Sequence, residues 1–478
     1  MTTPASGERP YKRLSPLTPL VRGFLVLVAV VGTSWDDLLR GDLGPLAWAL
    51  LIFLLAGAVF GFASWLRTKY WIEDDELRVD TGVISRQSRR IRVDRLQGID
   101  VVQPFVARLF GLAELRMDVA GGGAREGSLA FLTLSDAHTL RDVLLARRDA
   151  VRSGRDPEQA GPSDAGEAPP AGHLAAPPER VLARLDAGRL VVSLLLSGET
   201  IGFLVSSAAF LTVLFVVGGF GGAAGLVPVL IGFGVAMFRK LSAFYDFTVS
   251  DTPAGLQVRR GLLERNTQTI ALARVQGVVI TEPWLWRPLG WARLDVSLAG
   301  YAGGGDSGPS SSTVMPVALM GEMHWLARML LQGKSLETVP LSPAPERARW
   351  AAPVRWKGLA VGMDGELVVS KSGVLTRRTH GAAHARVQSV RLHQGPWQRR
   401  LGLADLLVDS PPGAVHVRAR HRYAAEARLL LQRLSELTRA ARRDDGAGNV
   451  RLRDGGGGAD GADDLDRPDW PDRAHDRP

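Results

Sequence analysis

The chain has 478 residues, with 58 Lys and Arg against 49 Asp and Glu for a net charge of +9, and no cysteine. The missing thiols exclude disulfides, thiolate metal sites, iron–sulfur clusters and cysteine nucleophiles together. The apolar share of 46% is ordinary for a soluble protein, but the apolar residues are gathered into a few uncharged runs.

Residues 1–67 read as an N-terminal tail and a first transmembrane hairpin. Its first span, about residues 17–35, carries Arg22 near one end, where arginine can snorkel to the headgroups. Its second, residues 43–66, is uncharged throughout and long enough to cross a bilayer as a helix. Residues 151–181 are rich in Pro, Ala, Gly and acidic residues and predict a disordered linker. A second hairpin is expected over 182–240. There residues 200–238 carry no charge and are interrupted by Gly218-Gly219-Phe220-Gly221-Gly222, and Glu199 is placed at the interface. Arg9, Lys12, Arg13, Arg67, Lys69, Arg239 and Lys240 flank the spans, which predicts that both termini and the large segments face the cytoplasm. Residues 444–478, with ten Asp against five Arg, predict a disordered acidic tail.

The segments 68–150, 241–335 and 353–443 repeat one another, with a linker at 336–352. Counted from Gly82, Gly261 and Gly373, position +13 is Arg95, Arg274 and Arg386, and position +15 is Gln97, Gln276 and Gln388. Position +26 is Arg108, Arg287 and Arg399, and +29 is Gly111, Gly290 and Gly402. Short alternating runs such as Leu77-Arg78-Val79 predict antiparallel strands, and each copy closes in a helical pattern at 137–148, 317–331 or 423–442.

The motifs G-V-L-x-R, R-x-Q, a Pro-aromatic turn and R-x-x-G-L-A, repeated beside membrane hairpins, resemble the bacterial pleckstrin-homology-like domains in their membrane-flanked, multi-copy (YdbT-like) form. The resemblance implies three cytoplasmic PH-like domains, each a small antiparallel β-sandwich of seven strands capped by a C-terminal helix. It implies no catalytic motif. The third copy departs from the pattern at Pro411-Pro412, where proline removes a ladder donor.

Two readings apply to the repeated polar residues. Arg95, Arg274 and Arg386 either offer donors to an anionic headgroup or hold carbonyls of a neighbouring loop. In the turn that contains Phe105, Trp284 and Trp397, the aromatics either meet a membrane interface beside Arg108, Arg287 and Arg399, which are candidates for binding lipid or a partner, or plug the core and leave only the arginine exposed. Trp286 stands out as a surface candidate because only the second copy has an aromatic there. Arg86, Arg89, Arg90 and Arg92 form a juxtamembrane cluster suited to anionic lipid. No cofactor, metal set or nucleic-acid signature is found. The expectation is therefore a non-enzymatic protein of the bacterial plasma membrane, a binding platform for anionic lipid or a membrane-protein partner, or one that self-associates. The alternative is a transporter or peptide-export component.

Overall fold

The computed structural model describes residues 12–13, 69–73, 76–81, 87–119, 128–153, 180–218, 226–252, 255–299, 312–411 and 413–454. The first hairpin, Arg86, the glycine-rich break at 219–225 and residues 154–179 and 455–478 lie outside them. The predicted acidic tail starts as helix, since the last helix continues to Asp454.

In the first copy β1 (Lys12–Arg13), β2 (Lys69–Glu73), β3 (Glu76–Thr81) and β4 (Gln87–Arg92) form a four-stranded antiparallel sheet. A 3-10 turn leads to β5 (Leu96–Pro104), helix α1 (Phe105–Leu109), β6 (Leu112–Val119), β7 (Ser128–Thr133) and helix α2 (Leu134–Ser153). Alternation puts Tyr70, Leu77, Val79 and Ile91 on the inner face of the first sheet. They meet Ile99, Val101, Leu115, Met117 and Leu132 of the second, and Ala137 and Leu144 of α2 close the end. Fully burying each large side chain contributes roughly 1.5–3 kcal/mol.

The second copy repeats this plan. Its strands are β8 (Arg180–Arg184), β9 (Thr248–Thr252), β10 (Gly255–Arg260), β11 (Glu264–Ile270), β12 (Val275–Pro283), β13 (Trp291–Leu298) and β14 (Thr313–Leu319). Between β8 and β9 lie α3 (Ala187–Leu195), α4 (Gly198–Gly218) and α5 (Leu226–Phe244), and α6 (Met320–Leu330) closes the copy. The third has β15 (Ser342–Pro343), β16 (Ala360–Met363), β17 (Leu367–Ser372), β18 (Thr376–Ala383), β19 (Ser389–His393), β20 (Leu403–Asp409) and β21 (Arg418–Tyr423). Helix α7 (Pro396–Leu401) precedes β20, and α8 (Ala424–Asp454) follows β21. The repeated glycine has a steric cause. Gly261 and Gly373 adopt φ of +109° and +88°, and a Cβ there would lie 1.9 Å from the carbonyl oxygen of Glu264 or Thr376.

Neighbouring copies share sheets. Strand β5 of the first copy pairs with β11 of the second, and β12 of the second pairs with β18 of the third, which makes two seven-stranded sheets. Both junctions have one register. Glu264 faces Pro104 in the first and Thr376 faces Pro283 in the second, each three residues past the turn glycine. The second shared sheet is covered on both faces. Val278 and Ile280 of β12 and Leu367 and Val369 of β17 enter the core of the second copy, while Val279, Val368 and Ala382 enter that of the third. This two-sided burial explains the continuous apolar runs at 278–280 and 367–369.

Each copy makes an excursion between its first and second strands. In the first it spans residues 14–68. In the second it is α3–α5, where Phe203 and Phe233 stack at 3.7 Å and Glu199 accepts from Lys240. Leu204, Val205, Val213 and Val216 of α4 and Leu230, Ile231, Val235 and Phe238 of α5 are exposed. No single described helix is long and apolar enough to cross a membrane. One bent pair, Ala187–Leu195 with Gly198–Val213 at 43°, qualifies by length and composition. In the third copy the excursion shrinks to residues 344–359, two 3-10 turns at Glu346–Trp350 and Trp356–Gly358. The first strand β15 thus lies within a segment that the sequence assigns to a linker, and β8 straddles the expected boundary between linker and second hairpin.

Candidate binding surfaces and the junction cleft

The predicted residues fall into three environments. On β4, Arg89, Arg90 and Arg92 are exposed, and Arg92 grips Asp94 through two bonds of 3.1 and 2.9 Å. Arg95, Arg274 and Arg386 each end a 3-10 turn rather than lying on a strand; the strand follows at once in the first two copies and starts at Ser389 in the third. Arg274 donates to the carbonyl of Ala299 at 2.6 Å, and Ala299 N–H donates back to the Arg274 carbonyl at 2.9 Å. That arginine therefore pins the end of β13, as the structural reading of the motif has it.

At the Pro-aromatic turn Phe105, Trp284 and Trp397 are about half exposed, at 55, 49 and 55%. Trp286 corrects the sequence expectation: it is 7% exposed and packs in the core of the second copy. A 3-10 turn whose C-cap Gly290 adopts φ of 64° turns the chain so that Trp286 points inward. The arginine of this turn also differs from copy to copy. Arg108 and Arg399 are exposed, whereas Arg287 donates to the carbonyls of Val374 and Leu375, the latter at 3.2 Å, across the junction to the third copy. It lies 3.8 Å from Glu282, as Arg377 does. Arg287 is therefore a junction residue, and the surface role expected of it is withdrawn. Arg287→Ala is expected to lower stability by about 1–2 kcal/mol in denaturant unfolding, with Arg399→Ala near neutral. Equal losses for the two would remove the junction role.

A cleft that the sequence reading missed opens on the other side of the same junction. Its volume is about 650 Å³. Arg293 and Asp295 of β13, Ser370 and Ser372 of β17, and Arg378 and His380 of β18 line it, together with Arg355 of the excursion. His416 and, from β21, Arg418, Arg420 and His421 complete the wall. Asp295 is committed, accepting from Arg293 Nε at 2.9 Å and from Thr313 at 2.7 Å. Among the described residues, no hydrogen bond or ion pair engages the guanidinium of Arg355, Arg378, Arg418 or Arg420.

These like charges act on one another. Burial, then His416, Arg378, Arg418 and Arg420, push His380 down to about 4. Burial, then Arg418 and Arg378, lower His416. Burial, then Arg418 and Arg355, lower Arg420. The sign for stability follows. The unfolded chain takes up a proton on His380 near 6.5 and the folded chain only near 4, so stability is intact above 6.5 and falls as pH drops through that window. The loss is on the order of 2 kcal/mol by pH 4. His380→Asn is expected to flatten the pH dependence of thermal unfolding between pH 4 and 6.5, and an unchanged slope would refute the assignment. The signal in the sequence was Arg418-Ala419-Arg420-His421-Arg422, passed over because it lies outside the three-copy pattern.

Three copies, each a four-stranded and a three-stranded sheet closed by a helix, define a class. The model of the bacterial PH domain family matches residues 23–148, 203–334 and 338–438, more than half of the chain, and the chain belongs to that family. It is similar to the UPF0699 transmembrane protein YdbT of Bacillus subtilis (strain 168), with 25% identity over 276 residues. That alignment takes in 54% of this chain and 53% of the relative, so the chain spans about half of the relative's length. No solved structure matches.

Proposed function

We propose that this protein is a non-enzymatic platform of the bacterial plasma membrane that holds a row of fused PH-like domains against the cytoplasmic leaflet and binds anionic lipid or a membrane-protein partner. The hairpins cross the bilayer, and both termini lie in the cytoplasm. A part in envelope maintenance or in defence against membrane-active agents accords with this arrangement.

The observation that carries the reading is the common origin of the three excursions. Each leaves between the first and second strands of its copy. The second excursion is the apolar pair α4–α5, and the first contains the uncharged residues 43–66. The third, too short to span, exposes Trp350 and Val354 at 64 and 75% beside Arg347, Arg349, Arg355 and Lys357. The Trp350 carbonyl accepts from the Trp397 indole at 3.2 Å, so two exposed tryptophans stand together among cations. That composition suits an anionic interface. Because both junctions have one register, the step from the first copy to the second is repeated to reach the third. A membrane that receives the first two therefore also meets the third.

The name of the Bacillus relative, a transmembrane protein, supports the reading. The test is the full chain reconstituted in vesicles with brominated phosphatidylglycerol. Quenching of tryptophan fluorescence is expected, reduced in the Trp350→Phe/Trp397→Phe variant. Release of the protein from native membranes by alkaline carbonate would overturn the proposal.

A further inference from the structure

We propose that the cleft between the second and third copies is a binding site for a small phosphate-bearing anion, held by Arg355, Arg378, Arg418 and Arg420. The inference rests on the reading that this array takes an anionic partner, and it names the chemistry and the place.

The cleft brings arginines together from three separate parts of the chain: the excursion, β18 and β21. Folding gains nothing from that convergence. Like charges at close range destabilise, and Arg420, the most buried of the four, is lowered by burial, Arg418 and Arg355 against a smaller opposing pull from Asp405. The two carboxylates nearby are committed. Asp295 is held by Arg293 and Thr313, and Asp405 accepts from the backbone N–H of His421 at 2.7 Å and from Gln398 at 2.7 Å. Elsewhere the chain does pair its arginines, as in Arg391 with Asp409 and Arg265 with Asp246. Four guanidinium groups left without a partner in one cleft are therefore a feature that a bound anion would complete.

The rest of the lining favours phosphate. Guanidinium forks match its oxygens in pairs. Ser370, Ser372 and Thr376 add hydroxyl donors at the wall, and the imidazoles of His416 and His421 can add more once an anion draws protons to them. The volume of about 650 Å³ suits a small ligand or a lipid headgroup. Val279, Ala352, Leu359 and Ala414 are scattered apolar contacts with no continuous face for an acyl chain, so a lipid would enter by its headgroup only.

The test uses the full chain purified in detergent and the double variant Arg378→Gln/Arg420→Gln. Sodium pyrophosphate, titrated against sodium chloride of equal ionic strength, is expected to raise the unfolding temperature of the native protein. The variant is expected to bind about tenfold or more weakly. It should also unfold at a higher temperature than the native protein without the anion, since it has lost the repulsion, and this shows that it is folded. Arg433→Gln, an exposed change on α8, controls for overall charge. The same proteins in nanodiscs of phosphatidylglycerol or phosphatidylcholine separate the sources. Stabilisation by the anionic disc alone, lost in the double variant, assigns the site to a headgroup, and stabilisation by pyrophosphate assigns it to a soluble anion. No response to either probe, or equal responses in the native protein and the double variant, overturns the inference. Failure of the carbonate and quenching tests with pyrophosphate binding intact would remove the membrane platform and leave the cleft.

Discussion

Leu367→Ala is expected to cost about 2–5 kcal/mol and to loosen the second copy, although Leu367 belongs to the third. Its side chain is 1% exposed and packs with Val278, Ile280 and Val369 in the core of the second copy. The neighbouring Val368 points the other way, into the core of the third. A cavity on this face removes contacts from β12, β13 and α6 of the preceding copy and leaves the far face of the sheet intact. Hydrogen exchange of the full chain is the measurement. Faster exchange should appear in β12–β14 and α6, with β20 and β21 less affected. Loss of protection confined to β19–β21 and α8 would show that each copy keeps a private core, and the shared sheet would then be a contact of little energetic weight.

Phe247→Ala is the second change with a large expected effect, a loss of about 3–5 kcal/mol. Phe247 is fully buried where the excursion of the second copy returns to its sheet, one residue before β9. Its carbonyl accepts from Leu185 N–H at 2.8 Å, on the outgoing side of the same excursion, and Phe244 at the end of α5 lies 6.4 Å away, ring to ring. The ring therefore fills the core at the base of the hairpin, and the backbone beside it clasps the two ends together. Chemical denaturation in detergent should show the loss, and Phe247→Leu should recover more than half of it. If Phe247→Ala unfolds like the native protein, this base is not part of the cooperative core.

Much of the fold was legible in the sequence because the repeat exposes its own grammar. Gly261 and Gly373 recur because a Cβ cannot fit there, and Arg274 recurs because it pins a carbonyl at the end of a neighbouring strand. Local sterics and local bonds leave traces at fixed spacing. The strands β8 and β15 left none. They are short and lie ahead of long or irregular excursions, and pairing across those excursions is a tertiary decision. The sharing of sheets did leave a trace in the double-sided apolar runs at 278–280 and 367–369, which a single half-exposed sandwich would not need. Trp286 misled for the opposite reason. Its singularity suggested a surface role, whereas one copy had filled its core differently. The cleft lay beyond the reach of a pattern search, because Arg355, Arg378 and Arg420 meet only through the fold.

The common register also bears on what happens where the row of copies stops. The array is directional, with β4 as its leading border and β19 as its trailing one, and the counterparts of both are satisfied at the internal joints. A second molecule that docked its β19 on β4 in that register would set Arg391 opposite Arg89, like charge on like charge. Repeat proteins need terminators, and edge strands need a guard against endless addition. Here arginines mark both borders, the charge of Arg391 being shared with Asp409. At the second internal joint the same positions are filled by His380 and Val279. A second copy added at either border in the internal register would thus bring arginine against arginine where the second joint has an imidazole against valine.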